Sequence, residues 1–305
     1  MNLFRLKSPA SRGIESAKAA LLDRDSFSAM PGLKEIEFAT SSKTADAEFD
    51  MEAPIFLFAT GWRTGSTLLQ RVLVSDPGLI LWGEPLGRLG IIQRLTETVA
   101  GFERRIAPDQ VTLRHRMTEA SESWIANLYP EMHAFRRAMQ SFVYTYLGKP
   151  AKDIGYERWG MKEVRLGYED AAVLHWLFPR ARFVVVTRDP RAGYRSAMQF
   201  GPVWERWPDR RINNPYSYGR LWNRLAVSWQ SAPEAFPVRL LRLEDVINGS
   251  ADLDGLSDFC GLQLKPESAL KKKVGAGRPD DKLSVLDRMF INRATRTGRD
   301  QFGYP

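Results

Sequence analysis

A single cysteine, Cys260, stands in 305 residues, so no internal disulfide can form and no cysteine-rich metal site can be built. Histidine is nearly as scarce. His115, His133 and His175 lie far apart and in no ligand spacing, so the sequence predicts a protein without a metal centre. Long apolar runs are missing as well: the longest, such as Ile55–Ala59, fall far short of the roughly 18–20 residues that a bilayer-spanning helix needs. The basic residues between Met1 and Lys7 are followed by no apolar segment with a small-residue cleavage site. The expectation is a cytoplasmic protein with no transmembrane segment.

What the chain does have is apolar mass. With 44% hydrophobic and 11% aromatic residues, it can bury a large core, which excludes disorder as its general state. Its 44 basic residues outnumber 36 acidic ones, for a formal charge of +8. That excess suits an anionic ligand, but it would equally suit nucleic acid or a membrane surface. Charge alone does not choose among them.

Residues 1–50 carry little periodicity beyond a helical stretch around 14–25, and read as an appendage to one domain over 51–305. Pro54 to Ala59 is a short continuous apolar run before a Gly-containing turn, the pattern of a strand buried on both faces. Leu68, Leu69, Val72 and Leu73 then follow at helical spacing, and Pro77-Gly78 ends the helix. Residues 88–150 read as a mostly helical insert broken near Pro108 and Pro130. Beyond it the pattern predicts a strand at 161–164, a helix over 168–178 and a strand at 183–186. A helix over 192–199, an aromatic-rich helix over 215–234 and a strand at 238–243 complete it. Residues 271–282, with three consecutive lysines, read as a basic loop. Strands alternating with helices predict an α/β fold, a central parallel sheet flanked by helices.

The turn after the first strand reads Thr60-Gly61-Trp62-Arg63-Thr64-Gly65-Ser66-Thr67-Leu68-Leu69. A Gly-containing loop between a strand and a helix start converges backbone N–H groups on an anion, and the helix dipole adds positive potential. Ser66 and Thr67 can add hydroxyl donors. Set against the nucleotide loop GxxxxGK[ST], Ser66 takes the place of the lysine that reaches the β- and γ-phosphates, and Arg63 supplies a cation earlier. The same letters also fit a plain capping turn with Thr64 or Ser66 as N-cap.

The run Arg63 to Leu69 resembles the 5′-phosphosulfate loop of the sulfotransferases that use 3′-phosphoadenosine-5′-phosphosulfate (PAPS). It is closer to their carbohydrate and tyrosylprotein branches, which carry arginine, than to the cytosolic small-molecule branch. The resemblance implies that Arg63, Thr64, Gly65, Ser66, Thr67 and Leu68 hold the 5′-phosphate and the transferring group. It also implies a P-loop-like sulfotransferase fold, with PAPS as donor, PAP as product and no metal.

A second motif reads FVVVTRDPRAGYRSAM from Phe183 to Met198. Arg188 falls at the carboxyl edge of a strand, where open α/β sheets bind ligands, and Pro190 suits the first turn of the helix that carries Ser196. A guanidinium with a hydroxyl partner can grip a terminal phosphate. Arg188 and Ser196 match the 3′-phosphate pattern of the same family. Alternatively, Arg188 pairs with Asp189 or Glu163.

Transfer to a hydroxyl also needs a base and a cation on the leaving group. Glu84, in Leu-Trp-Gly-Glu-Pro, resembles the family's catalytic glutamate, and desolvation in that setting is expected to raise its pKa. Its plain alternative is a pair with Arg88. Lys162 resembles the tyrosylprotein branch's lysine on the bridging oxygen, against an ordinary edge-strand lysine, and Glu163 is the reserve base. Arg293, Arg296, Gly298, Arg299 and Gly303 faintly resemble the loop over the 3′-phosphate, although a solvated tail is the default.

The reading is thus a sulfotransferase acting on a hydroxyl-bearing acceptor: a glycan or glycolipid first, then a tyrosyl peptide or a small alcohol. Trp204, Trp207, Tyr216, Tyr218 and Trp222 could stack on sugars or simply pack. A degenerate P-loop kinase and a non-catalytic basic anion-binding module are the alternatives. Nucleic acid is not an expected partner.

Overall fold

The computed structural model describes residues 10–13, 16–17, 49–87, 89–105, 130, 132–199, 206–207, 210–229, 236–271 and 283–305. The chain enters the core at β1 (Ile55–Ala59), all five residues of which are buried. It turns into α1 (Ser66–Leu73) and returns through β2 (Leu79–Trp82). The helical insert supplies α2 (Ile91–Arg105) and α3 (Met132–Val143). A π turn (Tyr144–Gly148) leads from α3 into α4 (Lys149–Asp153). Then come β3 (Arg158–Glu163), α5 (Tyr168–Leu177), β4 (Arg182–Thr187) and α6 (Pro190–Met198). A two-rung antiparallel ribbon, β5 (Arg206–Trp207) and β6 (Arg210–Arg211), precedes α7 (Pro215–Ser228). The remaining elements are β7 (Val238–Arg242), α8 (Leu243–Asn248), α9 (Leu253–Cys260), α10 (Glu267–Lys271) and α11 (Val285–Phe302).

The main sheet has the order β2-β3-β1-β4-β7, and every neighbouring pair is parallel. Parallel strands need helical crossovers, which cover both faces and leave the strands apolar on both sides. Period-two alternation sorts their residues accordingly. Phe56, Phe58, Phe183 and Val185 join a core with α2, α5 and the π turn, in which Trp159 and Phe178 pack edge-on 5.4 Å apart. Ile55, Leu57, Val184 and Val186 face the other way, against α1, α8, α9 and α10. Truncating one such buried aromatic to alanine typically costs about 3–5 kcal/mol.

This topology places β1 centrally, with β3 on one side and β4 on the other. Its carboxyl end therefore lies where the connections diverge, the usual ligand position of an open α/β sheet. All five strands point the same way, so the segments following β1, β2, β3, β4 and β7 gather at one edge.

Several boundaries differ from the sequence reading: β3 runs over Arg158–Glu163 where the pattern predicts 161–164, and α6 starts at Pro190 where it predicts 192. Leu243 starts α8 instead of ending the strand, and α7 stops at Ser228. The basic tail forms α11, an 18-residue helix that leaves Arg293 and Arg296 exposed as expected but docks its other side on the fold. It buries Ile291, Ala294 and Thr295, and Gly298 N–H donates to Asn223 Oδ1 of α7 at 2.8 Å. Arg12 forms an ion pair with Asp287 at 2.8 Å, and the buried Ser16 donates to Asn214 Oδ1 at 3.2 Å. Those parts of the first 50 residues therefore dock on the C-terminal helices. Most of the helix expected at 14–25 and the basic loop after Lys271 lie outside the described residues. Among the described residues no helix is long and apolar enough to cross a membrane.

Candidate active site

The loop leaving β1 is clamped at its root. Thr60 N–H donates to Val186 O at 3.1 Å, and its hydroxyl donates to Thr187 Oγ1 at 3.1 Å, joining the ends of β1 and β4. The chain then passes through left-handed backbone at Arg63 (φ 64°) and Gly65 (φ 89°). For a residue with a side chain such a conformation costs on the order of 1–3 kcal/mol unless its surroundings enforce it. They do here. Thr64 Oγ1 donates to Gly61 O (2.8 Å), Tyr218 OH to Trp62 O (2.7 Å) and Arg188 Nη1 to Arg63 O (3.0 Å).

Gly65 is the N-cap of α1, and no side chain caps the helix. That overturns Thr64 or Ser66 as the cap: Thr64 is committed to Gly61 O instead. A Cβ on Gly65 would lie 2.3 Å from Leu243 Cδ1, so the position needs glycine for room as well as for φ. Ser66 is buried and Thr67 exposed at the open, positive end of the helix. Leu68 N–H bonds Gly65 O at 2.9 Å and its side chain packs on the core.

The second motif arrives at the same place. Asp189 caps α6 by accepting from Arg191 N–H at 2.8 Å, and pairs with the Arg191 guanidinium at 2.6 Å. Pro190 occupies the first turn as its fixed φ allows. Arg188 therefore does not take Asp189 as its partner, and Glu163 lies beside Arg165 at 3.9 Å. Instead Arg188 crosses to the first loop, and Arg63 Nε donates to Ser196 Oγ at 3.2 Å. Burial, and then the charge of Arg188, lowers the Arg63 pKa. Two guanidinium groups held this close favour an anion between them.

A buried frame backs this pair. Trp222 Nε1 donates to Arg188 O at 3.0 Å. Glu244 accepts from Asp189 N–H and from Tyr304 OH, both at 3.0 Å. Tyr218 and Trp222 are 1% and 0% exposed, so they brace the site and cannot stack on a sugar. Trp204 lies outside the described residues.

The third group forms where β2 and β3 end side by side. Lys162 N–H donates to Gly83 O at 3.2 Å, pinning the turn that carries Glu84. The Glu84 carboxylate is gripped at both oxygens: Lys162 Nζ reaches Oε1 at 2.6 Å and Arg165 Nη1 reaches Oε2 at 2.6 Å. Burial pushes the Glu84 pKa up, but the hydrogen bonds and charges of Lys162 and Arg165 outweigh it and hold the carboxyl below its ordinary range. The expected upward shift is thus reversed. β3 is an interior strand, which also removes the edge-strand reading of Lys162.

Glu163 is overturned as reserve base. It is 0% exposed and accepts from Leu86 N–H (3.2 Å) and Gly87 N–H (2.7 Å). Desolvation raises its pKa to about 7, but from this position it reaches no acceptor. Its neighbour Gly87 must lack a side chain, because a Cβ there would lie 2.3 Å from Glu163 Oε2.

Residues 54–266 match the profile of the sulfotransferase family. The chain belongs to the sulfotransferase family. Sulfuryl transfer is the reaction class of these proteins, and the parallel sheet with its P-loop-like turn accords with it. Among solved structures, the sulfotransferase domain of the Synechococcus PCC 7002 olefin synthase shares 17% identity over 86% of this chain and 99% of its own, with a TM-score of 0.44. The sulfotransferase of Alicyclobacillus acidocaldarius shares 13% over 83% of this chain and 96% of its own, TM-score 0.43. A mouse sulfotransferase complexed with PAP shares 14% over 89% and 88%, TM-score 0.39. Among curated protein sequences no relative matches.

In this sulfotransferase the structure brings Arg63, Arg188 and Ser196 into one cluster and Glu84 and Lys162 into another. Sequence reading missed Arg165, which contacts Glu84 and also covers the first loop: its Cζ lies 4.9 Å from the centroid of the Trp62 ring. The signal was present in Lys162-Glu163-Val164-Arg165. Strand alternation hid it, because Arg165 falls beyond the end of β3, where the period of two no longer applies.

Proposed function

We propose that this sulfotransferase takes its sulfuryl group from PAPS and delivers it to a hydroxyl of a glycan or glycolipid, releasing PAP. One observation carries the reading. Two motifs from distant parts of the chain meet side chain to loop, through Arg188 Nη1 to Arg63 O and Arg63 Nε to Ser196 Oγ. A ligand with phosphates at two ends is the chemistry such a junction suits.

The residues present fit that donor. The uncapped start of α1, the Ser66 and Thr67 hydroxyls and Arg63 would hold its 5′ end, and Arg188 with Ser196 its 3′-phosphate. When bound, the donor supplies a sulfuryl group on a phosphate leaving group. Lys162 stands beside Glu84, where its ammonium can neutralise charge on the leaving oxygen. Glu84 accepts the acceptor's proton. Its depressed pKa keeps it ionised through neutral pH, so it needs no prior deprotonation. Arg63 and Glu84 are also the two positions that favour the carbohydrate and tyrosylprotein branches over the cytosolic small-molecule branch.

Titration with adenosine 3′,5′-bisphosphate in the absence of Mg²⁺ tests the reading. Thermal stabilisation by this nucleotide, together with sulfate transfer from PAPS to members of a glycan panel, is expected. A preference for ATP-Mg²⁺, or indifference to the bisphosphate, would overturn it. Transfer only to tyrosyl peptides or small alcohols would reassign the acceptor.

A further inference from the structure

Lys162 holds one oxygen of Glu84, but a lysine assigned to the leaving group cannot also be the lasting anchor of the base. The other oxygen belongs to Arg165. Its side chain is 3% exposed, so its planar group has little room to turn. One nitrogen of that group donates to Glu84 Oε2 at 2.6 Å, and its Cζ lies over the Trp62 ring, 4.9 Å from the centroid. Behind it, Glu163 Oε2 lies 3.9 Å from Nη1, while Glu163 Oε1 takes the amides of Leu86 and Gly87 just beyond Glu84. The turn carrying the base and the loop carrying Trp62 are thus tied through a single guanidinium.

Building on the functional reading above, we infer that Arg165 is the positioning residue for Glu84, fixing the carboxylate relative to the donor loop through the Trp62 ring. An arginine is needed for this. Its flat group can stack and donate at the same time, whereas a lysine offers a point charge on a flexible stem. The charged groups facing Glu84 among the described residues are Lys162, Arg165 and, at longer range, Glu163, all from the end of β3. Of these, Lys162 and Arg165 lower its pKa. Loss of Arg165 therefore moves the Glu84 titration to higher pH and lets the carboxylate swing.

The test compares wild type with Arg165→Lys, Arg165→Met and Trp62→Leu. Each protein is labelled with ¹³C at glutamate carboxyls, and Glu84→Gln assigns the resonance. The Glu84 titration is expected to rise in the order wild type, Arg165→Lys, Arg165→Met. The acidic limb of kcat/KM should follow, and kcat should fall by up to about 10²-fold, the loss that misplacement by an ångström can cause. Adenosine 3′,5′-bisphosphate should still raise the melting temperature of each variant, showing that the donor loop is folded. If Arg165→Met does not fold, Arg165→Lys and Trp62→Leu still decide the matter. A Glu84 titration and acidic limb that stay in place in Arg165→Lys, with kcat unchanged in Trp62→Leu, would overturn the positioning role. Absence of any sulfate transfer by the wild-type chain would instead overturn the functional reading on which it rests.

Discussion

Arg63 and Ser196 meet at 3.2 Å although 133 positions separate them in the chain. Neither residue comes from a strand. Arg63 sits in the loop just past the carboxyl end of β1 and Ser196 on α6, the helix that follows β4, and those two strands are paired directly in parallel register. The contact is therefore a product of strand order, and the energetics of donor binding should depend on it.

Arg188→Ala removes the guanidinium that binds the Arg63 carbonyl and that the proposed function assigns to the 3′-phosphate. Affinity for adenosine 3′,5′-bisphosphate should fall by about 1.5–3 kcal/mol, the range for hydrogen bonds to charged groups. Isothermal titration calorimetry measures this directly. An affinity equal to that of wild type would put the 3′-phosphate elsewhere.

Glu84→Gln keeps the size of the side chain and can still accept a hydrogen bond from Lys162 or Arg165. It cannot take a proton. Initial rates of sulfate transfer should drop by about 10²–10⁴-fold, the usual contribution of general base catalysis, while the nucleotide still stabilises the protein. A rate that survives would remove Glu84 as the base.

Gly65→Ala places a methyl group 2.3 Å from Leu243 Cδ1 on backbone with φ 89°. Overpacking of this kind costs about 1–3 kcal/mol, and the left-handed conformation adds to it. A lower melting temperature is expected, and Gly65→Ala should cost less in a Leu243→Ala background than in wild type, because the space is then open although φ is not relieved. Equal melting temperatures for wild type and Gly65→Ala would contradict the contact.

Asp170 is 0% exposed and accepts from Gly167 N–H and Thr96 Oγ1, both at 2.9 Å. Burial raises its pKa to about 7 from an ordinary 3.8. Between those values the folded chain binds a proton that the unfolded chain lacks, so this contribution is present at low pH and is lost as pH rises through about 7. Relative to Asp170→Asn, wild type should gain up to about 2–3 kcal/mol between pH 7.5 and 5, at 1.36 kcal/mol per pKa unit. His175, held down to about 4 by burial, works in the opposite direction. It is common to both proteins and cancels in the comparison. Urea denaturation at several pH values checks the sign; a difference independent of pH would show that Asp170 is ionised throughout.

Much of the fold was legible because its signals are local. The runs at Ile55–Ala59 and Phe183–Val186 are apolar on both faces, which only a strand covered on both sides requires. Both motifs follow such runs directly, so their position at a strand end needed no tertiary information. The basic tail misled for the opposite reason. Its arginines read as solvated, and Arg288, Arg293 and Arg296 are exposed, yet the helix that carries them buries Ile291, Ala294 and Thr295. Arg165 was missed because it gains its role only by reaching across to Glu84 and Trp62.

The amino-acid sequence by itself determined that this chain builds a parallel α/β sheet with two Gly- or Pro-bearing turns at the ends of buried strands, because buried strands and tight turns are written in a few consecutive residues. Tertiary structure alone decided which cations surround which carboxylate. Insertion of β3 between β2 and β1 brings Lys162 and Arg165 onto Glu84 and makes it a stronger acid, while Glu163, one residue from Lys162, faces inward and becomes a weaker one. Ionisation responds to charge and solvent within a few ångströms, and those neighbours come from other strands.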